Sequence, residues 1–333
     1  MRLPYLLNPL YRFARRATPE RIKPTVRGWY NALNKWATYG RTDIFTALDI
    51  ETNARCNLQC SYCPVSEFDR GNHYMPDQLF RKIIDDLAAF PFTYKGRLSP
   101  HFYGDPLIDV RLPELMRYAH QKLPQAKIII HTNGIKLTVA NYRELVAAGI
   151  TGFLITRHMR HLPKPVLDIL QDEPGAKKYI TVQTLDKVGL FNRGGNKPVK
   201  TPHVSKSCYY VSDEIAVDYR GYVVCTNDFF VREAFGNVNE RSLGAIWWDP
   251  EFVSVRQRLR NGDQCLTHCR ESLGQETIES GVIPEGARAG GYTKRQTPQQ
   301  IRDAAKTGGH AAPKPQPALS VALKPTGLPV SDD

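Results

Sequence analysis

From residue 43 onward the hydrophobic positions alternate between two periods. Short apolar or alternating runs at 45–51, 98–103, 127–131, 152–156 and 179–184 predict strands. Between them, apolar residues recur at three- and four-residue spacing over 76–89, 112–122, 138–148 and 164–171, which predicts amphipathic helices. Repeated strand–helix units predict an α/β domain with a parallel sheet and right-handed crossovers. Its last turn is weak, because 186–195 lacks a helical pattern.

The flanks follow other patterns. Leu3, Leu6, Leu7 and Leu10 recur at helical spacing, followed by Arg12, Arg15 and Arg16. Val26, Trp29, Tyr30, Leu33 and Trp36 form a second stripe, read as a helix begun near Pro24 and stopped by Gly40. From 276 onward the chain is rich in Pro, Gly, Ala and polar residues without periodicity, the composition of a disordered tail. The expected division is an arm at 1–42, the α/β domain at 43–200, a cysteine-rich domain at 201–275 and a tail at 276–333.

With 333 residues, 41% of them hydrophobic, the chain has room for a sizeable core and more than one domain. No apolar run approaches the roughly 20 residues of a membrane span, and no secretory signal is evident, so a cytoplasmic location is expected. The net charge of +12 is concentrated: residues 1–41 hold nine Lys and Arg against one acid, Glu20, leaving +4 for the rest. One reading is an anchor for a membrane surface or an acidic partner. The expected reading is that these helices pack on the α/β domain and show solvent a basic face, because an aromatic stripe is more often core. No nucleic-acid motif accompanies the charge.

The candidate chemistry lies in seven cysteines. Cys56, Cys60 and Cys63 are spaced C-x3-C-x2-C, with Tyr62 before the third. Three thiolates on so short a loop can converge on one soft metal centre and leave a coordination position open. An iron–sulfur cluster fits, and zinc completed by His73 stays in play. Disulfides are not expected with an odd count and no secretory signal. Cys208, Cys225, Cys265 and Cys269 lie downstream, the last two as C-x3-C. Four thiolates close a site by themselves, and spacing alone leaves zinc and a second [4Fe–4S] cluster comparable.

The loop and the run before it at 45–52 resemble the signature of the radical S-adenosylmethionine (SAM) enzymes. Gly104-Asp105-Pro106 resembles that family's Gly-Gly-Glu-Pro segment, with Tyr103 for the first glycine and Asp105 for the glutamate. Thr132-Asn133-Gly134 resembles its Thr-Asn-Gly segment. All three fall at the carboxyl ends of predicted strands, where α/β barrels place their sites. The resemblance implies a partial (β/α)6 TIM-type barrel and a [4Fe–4S] cluster on Cys56, Cys60 and Cys63, whose fourth iron SAM chelates. Reductive cleavage of SAM would give a 5′-deoxyadenosyl radical that takes hydrogen from substrate. The resemblance also implies that Tyr62 packs by the SAM adenine, that the Gly104–Pro106 backbone meets the SAM amino group, and that Asn133 contacts SAM.

The downstream cysteines, with Gly221, Gly236-Asn237-Val238 and Ile246-Trp247, are similar to the auxiliary-cluster region of the SPASM/twitch subfamily, in its one-cluster twitch form. That resemblance resolves the zinc alternative in favour of a second [4Fe–4S] cluster serving in electron transfer. It implies a two-electron oxidation of a sugar- or aminocyclitol-like alcohol, as in aminocyclitol dehydrogenases, with a flavodoxin or ferredoxin as reducing partner. Arg193 takes the place of an arginine near the substrate, suited to hold an oxygen and a poor base. His158 and His161 follow a strand end and could face the substrate. Trp247 and Trp248 read as core. Competing expectations are modification of a ribosomally made peptide, and a non-catalytic iron–sulfur or zinc protein.

Overall fold

The computed structural model describes residues 19, 23–185, 192–194, 197, 207–272 and 293–295. They belong to one compact unit that reaches Arg295, and the remaining unit, Gln296–Asp333, lies outside the described residues. In chain order the elements are α1 (Lys23–Tyr39), β1 (Ala47–Ile50), β2 (Phe68–Asp69), α2 (Asp77–Ala88), β3 (Arg97–Ser99), α3 (Leu112–Lys122), β4 (Lys127–Thr132), α4 (Val139–Ala147), β5 (Gly152–Arg157), α5 (Lys164–Asp172), α6 (Ala176–Tyr179) and β6 (Ile180–Thr184). Then follow α7 (Tyr210–Asp213), β7 (Glu214–Val217), β8 (Tyr222–Val224), β9 (Gly236–Asn237), α8 (Leu243–Trp247), α9 (Pro250–Arg260), α10 (Thr267–Ser272) and β10 (Thr293–Lys294).

Eight strands form one sheet in the order β6-β5-β4-β3-β1-β7-β8-β9. The pairs from β6 through β1 to β7 are all parallel, and β8 and β9 continue the sheet antiparallel. The sixth parallel strand, unclear in the sequence, is therefore β7, supplied by the cysteine-rich region. The sheet runs without a break across the expected domain boundary near residue 200. β1 is buried at all four positions, as a strand covered on both faces must be.

Helices α2 to α5 bury the faces their spacing predicts, α2 through Leu79, Phe80, Ile83, Ile84 and Leu87. α4 is capped by Thr138, whose hydroxyl accepts from the Asn141 amide at 3.2 Å. Phe45, ahead of β1, packs edge-on to Trp247 at 4.9 Å, and the Arg256 guanidinium covers that indole at 3.8 Å. Arg256 also donates to the Trp247 carbonyl at 2.7 Å, which fastens α8 and α9 to the start of the barrel. Trp247 is core, as expected, and Trp248 packs against it.

Three expectations need correction. The run 98–103 leaves the ladder after Ser99, because Tyr103 turns inward and its amide donates to Glu51 Oε1 at 3.0 Å. The reading of 276–333 as irregular does not hold at 293–295: β10 pairs with β2, and the Arg295 guanidinium donates to Val65 O at 2.8 Å. Helix α1 does not pack by its aromatic stripe, since Trp29, Leu33 and Trp36 face outward while Lys35 is buried against Asp213. The leucine stripe at 3–10 lies outside the described residues. Among the described residues no helix is long and apolar enough to cross a membrane.

Candidate active site and metal centres

The three-cysteine loop leaves the carboxyl end of β1. The Cys63 amide donates to Cys60 O at 2.9 Å, and the Ser66 amide and hydroxyl both return to Cys63 O, closing tight turns. The Leu58 amide points at Cys56 Sγ at 3.4 Å. All seven cysteines are free. Burial pushes the Cys56 thiol up to about 12; the Leu58 amide opposes this, while Asp105, Cys63 and Cys60 add to it. Neutral thiols crowded in this way give up their protons to a cationic centre, so assembly of a metal group releases protons here.

The two other signature segments are joined to this loop by direct contacts. Gly104 crosses so close to the chain after β1 that an added Cβ would sit 2.0 Å from Asn53 O. The Asp105 amide donates to Arg55 O at 2.7 Å, and Asn53 Nδ2 donates to Asp105 O at 3.0 Å. The Asp105 carboxylate points inward. It accepts from Thr132 Oγ1 at 2.9 and 3.0 Å, from the Asn133 amide at 3.0 Å and from the Leu107 amide at 3.0 Å. Asp105 thus holds the Thr132-Asn133-Gly134 turn, a task its shorter side chain can perform, and the buried Pro106 starts a 3-10 turn beneath it. Asn133 Nδ2 completes the link to the cysteine loop through Asn57 Oδ1 at 2.8 Å.

His158 joins the loop and His161 does not. The Tyr62 hydroxyl bonds His158 Nδ1, the two rings stack at 5.9 Å, and Nδ1 lies 3.7 Å from Cys60 Sγ. Burial lowers the His158 pKa and keeps it neutral. His161 is exposed.

The barrel interior holds a polar cluster that the sequence reading missed. Arg97 ion-pairs with Asp49 at 3.1 Å and with Glu214 at 2.9 Å, and lies 3.2 Å from His131 Nε2. The His101 ring lies tilted against His131, centroids 4.3 Å apart, with Nδ1 3.7 Å from Asp49 Oδ1. Burial, then His131 and the cations Arg97 and Arg193, hold His101 well below its usual pKa. Burial and Arg97 lower His131 to about 3. Yet 22% of the His101 side-chain surface stays accessible. The missed signal was alternation: Arg97, Ser99 and His101, like Asp49 and Glu51, put polar groups on every second position of otherwise apolar runs.

Arg193 sits between the two cysteine regions in a left-handed conformation, φ 54°. Its guanidinium lies 5.2 Å from the Tyr103 ring and donates at 3.5 Å to Thr226 O, beside Cys225. Burial opposes its charge, but Tyr103 and Cys63 raise its pKa, so it stays a cation.

The downstream cysteines come from three places. Cys208 is tied to the end of α9 by its amide, 2.8 Å from Leu259 O. Cys225 follows β8, with the Asn227 amide 3.5 Å from its sulfur, and Cys265 and Cys269 flank the start of α10. Gly221, φ 96°, makes the β7–β8 turn that aims Cys225, and it backs onto Asn237 and Asn239. The thiols influence one another: burial, then Glu233, Cys265 and Asp228, push Cys269 up to about 12, and Cys225 senses both Cys269 and Cys208. His268, also missed, is buried against Cys225, with Nδ1 2.8 Å from Glu233 Oε2. Burial opposes its charge, but Cys225 and the carboxylates of Glu233 and Asp228 raise its pKa well above the usual value. Among the described residues no three His, Cys, Asp or Glu side chains are arranged to hold a single metal ion. The donor sets, three thiols and four thiols, are those of an open and a closed iron–sulfur cluster.

Residues 50–159 match the radical SAM superfamily, and 208–270 match an iron–sulfur cluster-binding domain of the SPASM type. The chain is 33% identical over 226 residues to the SAM-dependent 2-deoxy-scyllo-inosamine dehydrogenase of Niallia circulans, covering 66% of this chain and 88% of that one. The chain belongs to the radical SAM superfamily. Among solved structures it is similar to BtrN bound to AdoMet and 2-DOIA, with a TM-score of 0.63 and 29% identity over 68% of this chain and 92% of that one. An open conformation of BtrN matches with a TM-score of 0.51 and 26% identity, over 66% of this chain and 88% of that one. This radical SAM chain is accordingly an oxidoreductase that uses SAM and iron–sulfur clusters, on a partial α/β barrel with a SPASM-type region.

Two outcomes follow from the buried charges. Glu51→Ala strands the buried Arg70 guanidinium that it pairs, and is expected to cost about 3–5 kcal/mol, read from the urea midpoint; a loss below about 1 kcal/mol contradicts the pairing. His131 is neutral when folded and binds a proton when unfolded, so its contribution is complete above pH 6.5 and is lost as pH falls toward about 3. In iron-free protein, His131→Gln should melt with a shallower loss of stability across that window; equal slopes count against it.

Proposed function

We propose that the chain oxidises a secondary alcohol of a sugar- or aminocyclitol-like small molecule to a ketone. In this reading Cys56, Cys60 and Cys63 hold a [4Fe–4S] cluster open to SAM, and Cys208, Cys225, Cys265 and Cys269 hold a closed one. Residues 43–200 then carry the radical half of the chemistry and 201–275 the electron-accepting half, with a flavodoxin or ferredoxin as reductant. The observation that carries it is the cationic Arg193 placed between the two thiol sets, sensing Cys63 on one side and bonded beside Cys225 on the other.

When bound, SAM and the two clusters supply a 5′-deoxyadenosyl radical and a one-electron acceptor. The chain's own residues then divide the remaining work. Arg193, unable to act as a base, holds the alcohol oxygen by charge-assisted hydrogen bonds. Asn133 and the Gly104–Pro106 backbone form the SAM side of the cavity, and Tyr62, fixed by His158, faces the nucleoside. Burial and the neighbouring cations disfavour a proton on His101, so the hydroxyl proton leaves to solvent rather than to that imidazole. One hydrogen atom from carbon, one proton and one electron complete a two-electron oxidation. The relative from Niallia circulans, of which this chain spans 88%, is named for an aminocyclitol substrate, which supports the substrate class.

Anaerobic reconstitution should give about eight irons per chain. With SAM, a reductant and 2-deoxy-scyllo-inosamine or a related polyol, it should yield 5′-deoxyadenosine and a ketone. Cys208→Ala should still cleave SAM but form no ketone. Absence of SAM cleavage, or ketone formation by Cys208→Ala at the parent rate, overturns the reading.

A further inference from the structure

Three loops at the carboxyl ends of the barrel strands form one rim whose exposed charges are all of one sign. They follow β1, β4 and β5, and residues 52–66, 133–138 and 157–163 contain no Asp or Glu. The first loop reaches the second where Asn133 Nδ2 lies 2.8 Å from Asn57 Oδ1, and the third where Tyr62 bonds His158. Arg55, Lys136, Arg157 and Arg160 are exposed on this rim. Among the described residues none of the four pairs with a carboxylate; Arg55 donates to the neutral Asn72 side chain at 3.2 Å. The acids of the loop after β3 do not offset them, because Asp105 is buried against Thr132 and Asn133, and Asp109 against Arg111 at 2.7 Å. Glu67, just past the cysteine loop, is paired with Lys197.

This rim lies over the thiols that need an electron from outside the chain. His158 sits between the exposed Arg157 and Met159, and its Nδ1 is 3.7 Å from Cys60 Sγ. One side chain therefore separates the rim from a sulfur of the three-cysteine set. Met159, 49% exposed, adds an adaptable apolar contact among the cations. Unpaired charges of one sign raise the encounter rate of an oppositely charged partner and make it sensitive to salt. Small, transient interfaces of this kind suit proteins that exchange single electrons. A small anion would be held by cations that converge inward, whereas these four stand in solvent. We propose that the rim carrying Arg55, Lys136, Arg157 and Arg160 is the docking surface for an acidic one-electron donor protein, bearing a flavin or an iron–sulfur group. The proposal rests on the reading that Cys56, Cys60 and Cys63 hold a cluster. In the step itself one electron leaves the donor's reduced group for that cluster, the donor is oxidised by one electron, and no bond is made or broken.

The test uses the reconstituted full chain and an acidic flavodoxin, with binding of the oxidised flavodoxin read by calorimetry and SAM cleavage driven either by reduced flavodoxin or by dithionite. The double variant Lys136→Glu/Arg160→Glu reverses charge on two of the loops. The control Lys177→Glu/Lys178→Glu makes the same change of net charge on exposed residues of α6, ahead of β6 and so at the opposite end of the strands. Expected is flavodoxin binding that weakens with salt and falls about tenfold or more in the rim variant, with the control close to wild type. Flavodoxin-driven cleavage should fall with it, while dithionite-driven cleavage and iron content stay unchanged. The proposal is overturned if wild type does not bind flavodoxin, if salt has no effect, or if the two variants bind alike. A raised substrate KM in the rim variant under dithionite, with flavodoxin binding intact, overturns it in favour of an anionic substrate. Loss of dithionite-driven cleavage in wild type would instead refute the cluster reading, and the binding comparison would still decide what the rim holds.

Discussion

The buried ion pair between Arg70 and Glu51 is the joint on which both candidate cluster sites hang. Both side chains are withdrawn from water, and the guanidinium grips the carboxylate with two parallel hydrogen bonds, the second at 2.8 Å. Glu51 directly follows β1, ahead of the cysteine loop, and Arg70 follows β2, where that loop is finished. The Tyr103 amide, from the segment that leads to Gly104, also donates to Glu51. The Arg70 guanidinium stacks at 5.4 Å on Tyr219, in the β7–β8 turn, and at 5.6 Å on Phe229, in the loop after Cys225. A pair so fully desolvated is a costly way to gain stability, but it permits few alternative arrangements of the elements it joins. It therefore bears more on the relative placement of the two thiol sets than on how firmly either folds.

The same economy of buried charge shapes the interior. Asp49 and Glu214 share one cation, Arg97, and the two imidazoles beside them are kept neutral by burial and by that cation. Arg193, by contrast, stays charged because Tyr103 and Cys63 surround it. On the other side of Arg193, Gly194 lies against His268, so the loop that carries the cation also touches the four-thiol site.

Much of this was legible in the sequence, because it rests on local periodicity and local spacing. Helix α3 falls where its spacing places it, and the strands β4 and β5 within a residue of their runs. The cysteine spacing, Gly104 and Asn133 pointed to one site, and the structure joins them through Asp105. What the sequence hid depends on long-range pairing. Nothing local to residues 214–217 shows that they add a sixth parallel strand beside β1. Nothing local to α1 shows that Lys35 is its buried face, since Asp213 is far away in the chain. His101 and His268 passed unremarked for a related reason: a histidine gains a role from its neighbours, Asp49 and His131 for one, Cys225 and Glu233 for the other.

The central claim is that this chain holds two clusters of unequal completeness, one with an iron left open and one closed by four cysteines. Electron paramagnetic resonance of the anaerobically reduced protein, recorded with and without SAM, tests it directly. Two cluster signals are expected, of which SAM shifts one and leaves the other unchanged. A single signal, or two that SAM shifts alike, would contradict the account.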